Sequence, residues 1–531
     1  MQKTTIKKRC PRCGNMTLRP HGRTPGGKQR WACRTHTRGS DMACYQTTNP
    51  DAPLRTKGAF QEQKRPQQVI PKRKLGGNVF VITWAQNATP VNEPFFKALL
   101  AYCDHNSAEL VVIPGRYKNP TSRWSSSQAN DEIWAPELVP YLFNQRRALN
   151  KNLHLIGDIK IQPTATSPLT GFEGITHAES GIFGHPKLQL KTVPTPQNAL
   201  PKILTTTGAV TRANYTDTRV GKTGEFHHIA GAVVVEVESA KVFHLRHINY
   251  STRHQGFIDL GRAYYADGRV HAAPPAEAVI FGDAHWRFAD PVVVAATFDQ
   301  LLPELRPKQL VWHDLMDSYA VSPHHAGNPF VLYAKHKAGF NNVRDEVQST
   351  ITWMLQKGKG YHNIIIPSNH DDMLRRWVVR EDWKEDPVNA EFYLETALAM
   401  LRSTRMGDTG AETLDPFQRL VEAREADNVQ CVPLNGSYVI AGIECALHGD
   451  KGPNGVRGSI KNLRRIGPKV VIGHSHSPGI DEGAYQIGTM TRLKAEYTGP
   501  VGSWLNTHCS IDGFGKRHLH TCIKGAFFMR R

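Results

Sequence analysis

The chain lacks any uninterrupted apolar run near the roughly 20 residues that a membrane-spanning helix needs, so no membrane association is expected. Its opening residues, Met1-Gln2-Lys3-Thr4-Thr5, lead into a basic run with no apolar segment of the kind a secretory signal requires, and a cytoplasmic location is expected. Cysteine is sparse: nine in 531 residues, with Cys103, Cys431, Cys445, Cys509 and Cys522 scattered without framework spacing. That pattern argues against a disulfide-stapled exterior and suits a reducing compartment. Acidic residues are scarce at one end. Residues 1–78 hold 18 Lys and Arg against Asp41, Asp51 and Glu62, a local charge of +15 within the net +19, which leaves +4 for the other 453. A basic head on a near-neutral body calls for a polyanion, with nucleic acid ahead of an acidic membrane surface.

What is present is an ordinary globular composition, 40% apolar and 8% aromatic, long enough for two or three domains. Residues 1–48 are rich in Cys, Gly and Arg. Residues 49–77, with Pro50, Pro53, Pro66, Pro71 and the run Lys72-Arg73-Lys74, read as an extended basic linker. From Val79 onward short apolar strands alternate with amphipathic helices, for example Val79-Phe80-Val81-Ile82, a helix over Glu93–Tyr102, then Leu110-Val111-Val112-Ile113. The expected class is α/β.

The body also echoes itself. Val81-Ile82-Thr83-Trp84-Ala85-Gln86 aligns with Ile280-Phe281-Gly282-Asp283-Ala284-His285, and Gly208-Ala209-Val210-Thr211-Arg212 aligns with Gly488-Thr489-Met490-Thr491-Arg492. A tandem duplication follows as the expectation, with domains at 78–250 and 251–531.

In the second copy, five strand-like runs each end in polar residues. Ala278–Gly282 leads to Asp283-Ala284-His285, and Leu310–His313 to Asp314-Leu315-Met316-Asp317. Ile364–Ser368 leads to Asn369-His370-Asp371, Ala446-Leu447 to His448-Gly449-Asp450, and Val470–Gly473 to His474-Ser475-His476. Strand C-termini in open α/β sheets deliver side chains to a crevice. So many buried imidazoles and carboxylates in one place need a cation to offset the cost of desolvating them.

Over residues 276–510 these motifs resemble the calcineurin-like metallophosphoesterase superfamily, whose pattern runs D-x-H, G-D-x-x-D, G-N-H-D/E, a lone His and G-H-x-H. Two positions depart from it: His313 and Ser368 stand where the family has glycine. The resemblance implies a β-sandwich flanked by helices and a pair of divalent metals. One metal would be held by Asp283, His285 and His476, the other by Asn369, His448 and His474, with Asp314 shared. Imidazole and carboxylate donors suit Mn, Fe or Zn better than a pure-oxygen Mg site; Mn is the expected metal, with Fe, Zn or Mg as alternatives. Two such cations acidify a water for attack on phosphorus. His370 is then the group that protonates the leaving oxygen, Asp317 orients a neighbouring imidazole, and His313 packs. The first copy places Trp84 and Gln86 where Asp283 and His285 stand, and Gly184-His185-Pro186-Lys187 where Gly473-His474-Ser475-His476 stands. It is expected to be catalytically dead.

At the head, Cys10-Pro11-Arg12-Cys13-Gly14 is a knuckle that can place two thiolates on one ion. Lys28–Cys33 resembles the second limb of transposase zinc ribbons. The expectation is a structural zinc on Cys10, Cys13, Cys33 and either Cys44 or His36, with Cys44 preferred because all four head cysteines are then used. Arg12, Arg30 and Arg34 would meet phosphates, joined near the crevice by Arg375 and Arg376. Trp286 and Trp377 offer stacking faces there, although each alone reads more simply as core.

Together these features point to a metal-dependent nuclease acting on DNA, the nuclease branch of the superfamily. The alternatives are a phosphatase or nucleotide phosphodiesterase with small or protein substrates, and a non-enzymatic nucleic-acid-binding protein.

Overall fold

The structure is a computed structural model that describes residues 18–33, 45–47, 68–117, 132–196, 201–408, 410–494 and 499–529. It divides into two compact units, residues 1–67 and 68–531.

In the first unit, Arg19–Arg23, Gln29–Cys33 and Tyr45–Thr47 form an antiparallel sheet. The first two strands join through a tight turn in which Gly27, at φ +79°, donates its N–H to the Thr24 carbonyl at 2.9 Å. Leu18 and Ala32 are buried. Arg30 lies on the middle strand, half-buried. Cys10, Cys13, Arg12, Arg34, His36 and Cys44 lie outside the described residues, as does the Cys33 side chain.

The second unit is mixed α/β, as its alternating apolar runs require. A ten-stranded sheet runs through it. Read from one edge, its strands are Arg146–Asn150, Leu153–Ile156, Ser180–Phe183, Lys202–Thr206 and Gln189–Val193. Read from the other, they are Val439–Ile440, Ile443–Glu444, Lys469–Ile472, Ala484–Gln486 and Gly479–Asp481. From either edge the successive pairings are antiparallel, parallel, parallel, antiparallel. The two series meet where Gln189–Val193 pairs antiparallel with Gly479–Asp481, Leu190 facing Ile480.

Each half of this sheet is faced by another. Phe243–Asn249, Gly231–Val237, Val79–Gln86 and Glu109–Gly115 form a four-stranded sheet. Its Phe80, Ile82, Val111 and Val233 pack on Leu153, Leu155 and Ile182. Arg517–Thr521, Thr507–Ile511, Ala278–Ile280, Gln309–Trp312, His362–Ile365 and Val429–Cys431 form a six-stranded sheet. Its Ile280, Val311 and Ile364 pack on Val471, Ile480 and Ile487. Strand alternation sends the intervening residues to the opposite faces, which helices cover: Val81 and Val112 meet Phe95 and Leu99, while Val279, Leu310 and Trp312 meet Val347, Ile351 and Met354.

Two expectations on domain limits are altered. The linker expected over 49–77 is docked at its end, where the Arg73 guanidinium donates to the Leu110 and Tyr141 carbonyls at 3.0 Å and Leu75 is buried. The ten-stranded sheet runs across 250/251, taking half its strands from each side, and Leu188, Leu190 and Ile203 share a core with Ile480 and Tyr485. No helix among the described residues is long and apolar enough to cross a membrane.

Candidate metal centre

In the six-stranded sheet, Ala278–Ile280, Gln309–Trp312 and His362–Ile365 are parallel neighbours, so their C-terminal ends open to one side. Ile443–Glu444 and Lys469–Ile472, parallel neighbours in the facing sheet, end beside them. Backbone hydrogen bonds lace the loops together: Ala284 N–H to His313 O at 3.0 Å, His285 N–H to Asp314 O at 2.7 Å, and Gly473 N–H to His448 O at 2.6 Å. All seven expected ligands converge here.

His476 Nε2 is 3.1 Å from Asp283 Oδ2 and 3.2 Å from His285 Nε2. His448 Nε2 lies 3.0 Å from Asp314 Oδ2 and 2.9 Å from Asn369 Oδ1, and His474 Nδ1 is 2.8 Å from the same Asn369 oxygen. Asp314 Oδ2 is also 3.7 Å from His285 Nε2, which places its carboxylate between the two groups. His285, Asp314, His474 and His476 adopt φ of +37°, +38°, +70° and +58°, a region costly for residues with a Cβ and concentrated at functional sites.

Asp283 is 0% exposed, and neither carboxylate oxygen has an aligned hydrogen-bond partner. A buried carboxylate approached by a single imidazole nitrogen at 3.1 Å is expensive to desolvate. Together with Asp314, an amide oxygen and four imidazoles, it makes a donor set that fits divalent cations. Two triads, Asp283-His285-His476 and Asp283-His313-His448, each bring their ligand atoms within 4.8 Å of one another. Gly473 keeps this space open: a Cβ there would sit 2.4 Å from Asp283 Oδ1 and 3.0 Å from His313 Nδ1.

Burial alone would raise the Asp283 and Asp314 carboxyls, but the surrounding histidines, His448 above all for Asp314, hold both below the usual range. Burial works against the charged forms of His285 and His448, yet Asp317 and Asp314 beside the first and Asp314 beside the second push each up to about 9. At His313 burial, reinforced by His448, outweighs the upward pull of Asp283 and Asp314 and drives it to about 3.

The neighbouring groups also have places. Asp317 Oδ1 is 3.1 Å from His285 Nδ1, so it orients that ring and leaves Nε2 towards the cluster. His370 Nδ1 is 2.7 Å from the Asp317 carbonyl, and its ring stands edge-on to His285 with centroids 4.5 Å apart. His370 N–H also donates to Asp314 Oδ1 at 3.1 Å.

Some expectations change. His313 was expected to pack, and it is buried, but its Nδ1 is 3.3 Å from His448 Nδ1 and it belongs to the ligand cluster. Arg375 and Arg376 are paired with Asp372 at 2.6 and 3.1 Å, and Arg376 also donates to the Asn369 carbonyl. They brace the ligand loop, which leaves less of either guanidinium for a phosphate. Trp377 is buried against Tyr393, and Trp286 stacks on Trp353, so both are packing residues.

Asp371 was missed as a functional residue. Its carboxylate accepts from Met316 N–H at 2.9 Å and Ser368 Oγ at 2.8 Å, tying the Asp314 loop to the Asn369 loop. Burial pushes it up to about 7. The signal lay in Ser368, whose hydroxyl donates to it.

The chain matches no model of a known protein family. It is 28% identical over 464 residues to a protein of Escherichia phage T5 described as Protein A1, a match covering 85% of this chain and 83% of that protein.

Proposed function

We propose that the chain is a metal-dependent phosphodiesterase of the calcineurin-like type that cleaves nucleic acid, with DNA as the favoured polymer. The observation that carries this reading is the convergence of Asp283, His285, Asp314, Asn369, His448, His474 and His476 from five strand ends around two fully buried carboxylates that imidazole nitrogens approach to 3.0–3.1 Å. Two facing sheets with helices on their outer faces support this reading. Similarity to a phage protein is compatible with a nuclease but does not name one.

Two cations, manganese favoured, would be held by Asp283, His285 and His476 on one side and by Asn369, His448 and His474 on the other, with Asp314 shared. When bound they supply positive charge against the phosphate and lower the pKa of water. The chain's own groups do the rest. Asp317 fixes the His285 ring. With Nδ1–H donating to the Asp317 carbonyl, His370 keeps Nε2 for the substrate. Burial lowers its pKa, so once protonated that edge gives up a proton readily to the leaving oxygen.

The strand order supports descent by tandem duplication. In the first half, Trp84 bridges Ala209 and Val91 bridges Thr211, as Asp283 bridges Thr489 and Ala289 bridges Thr491 in the second. Gln86 and His185, at the places of His285 and His474, are buried and hydrogen-bonded to Asn214 and Gln162 carbonyls. Among the described residues, Trp84 stands at the place of Asp283 and Pro114 or Gly115 near that of Asp314, so no carboxylate sits there for a metal pair, and that half reads as scaffold. The test is hydrolysis of plasmid DNA by manganese-loaded protein, which His448→Ala should abolish. Absence of cleavage across Mn, Fe, Zn and Mg and across linear, circular and single-stranded DNA would refute the nuclease reading.

A further inference from the structure

The helix Pro329–Ala338 takes no part in the chemistry above. It starts at Asn328, whose side chain accepts from Phe330 N–H at 3.2 Å and Val331 N–H at 3.3 Å, and ends at Gly339 with φ +71°. Its one buried residue is Lys335. That ammonium lies 4.8 Å from the Tyr319 ring centroid and 3.4 Å from the Ala320 carbonyl. Tyr319 and Ala320 follow closely on Asp317, and the Tyr319 ring packs on Phe288, just past His285, at 5.1 Å. A lysine therefore pins the helix to the rim of the candidate centre, where an ordinary surface helix would use an apolar stripe.

The apolar groups point outward instead. Phe330 is 84% and Tyr333 67% exposed, and Lys337 shares their face at positions i, i+3 and i+7. Beyond the helix, Phe340 is exposed with the Arg287 guanidinium 4.7 Å from its ring centroid. From Ser318 to Val343 there is no Asp or Glu, while Lys335, Lys337, His324, His325 and His336 fall within the stretch. Arg344 is paired with Glu391 and Glu395, and the Glu346 carboxylate is buried behind, accepting from the Tyr319 and Ala320 N–H groups at 2.9 Å.

We propose that this face binds unpaired nucleotides, with Phe330 and Tyr333 stacking on bases and Lys337 meeting the backbone, and that the substrate class is DNA with a single-stranded or fraying segment. This rests on the phosphodiesterase reading of the centre beside it. Exposed rings beside an exposed lysine, on a helix that carries no acid, are what a strand of bases and phosphates complements. An apolar protein surface would have to desolvate Lys337 and His336 without a counter-charge.

The test uses the full chain, wild type and Phe330→Ala/Tyr333→Ala, with two readouts: anisotropy of fluorescein-labelled dT20 and hydrolysis of bis(p-nitrophenyl) phosphate. The expected result is dT20 affinity weakened about tenfold or more with small-ester turnover within twofold of wild type. Phe330→Trp/Tyr333→Trp should retain affinity and show tryptophan quenching on dT20 binding, which separates lost stacking from lost folding. Equal dT20 affinity in the alanine variant overturns the proposal, as does an unchanged affinity accompanied by a fall in oligomeric state, which would assign the face to a second copy. Wild-type protein that binds dT20 through these rings yet hydrolyses no phosphoester would sink the reading of the centre and leave the stacking face standing.

Discussion

Around Asp283, single atoms decide what the centre can hold. Gly473→Ala would bring a methyl within 2.4 Å of Asp283 Oδ1. A displacement of that size should lower DNA cleavage about 100-fold while the far-ultraviolet circular dichroism stays unchanged. Asp317→Asn leaves every proposed ligand in place but frees the His285 ring. Metal affinity, read by titration calorimetry, should weaken about 10- to 100-fold, and an unchanged affinity would remove Asp317 from its positioning role. His508 offers a pH test away from the ligands. Its Nδ1 accepts from Gly282 N–H at 2.9 Å and its Nε2 is 2.9 Å from Thr297 Oγ1, an arrangement that needs a neutral ring, and burial holds its pKa near 3. The unfolded ring protonates near 6.5, so the unfolded state gains protons first as pH falls. This residue's contribution is present above about pH 6.5 and declines by about 1.4 kcal/mol per pH unit below it. Melting temperature should fall between pH 7 and 5, with a shallower slope in His508→Gln. That these seven side chains would gather at one end of the sheets was legible in the sequence, because each follows a short apolar strand-like run. The positive φ values, the ligand-cluster place of His313 and the clamp at Asp371 were not, since they depend on loops from different strands meeting.

Strands and helices were legible where apolar runs are short and β-branched, as at Val79–Gln86 and Lys469–Ile472. The pairing of Leu190 with Ile480 was not, because local pattern does not say which strand edges meet across nearly 300 residues. That seam has an energetic consequence. Ile480 is 1% exposed, and Ile480→Ala should cost about 2–4 kcal/mol in urea unfolding. Residues 251–531 made alone would present Gly479–Asp481 as an unpaired sheet edge and should aggregate. A monomeric, folded fragment would show that the seam is dispensable.

For the molecule as a whole, charge and motif order conveyed the broad class, and contact between distant segments supplied the rest. The sequence suggested two α/β domains in series; the chain instead builds one compact unit around a shared sheet, with a separate basic unit before it. The most direct test of the central claim is metal content measured with DNA hydrolysis on the same purified protein, wild type beside Asp314→Ala. The account predicts two divalent cations per chain at the centre, lost together with hydrolysis in the variant. Wild-type protein that binds no metal there, or variant protein that cleaves DNA at the wild-type rate, would contradict it.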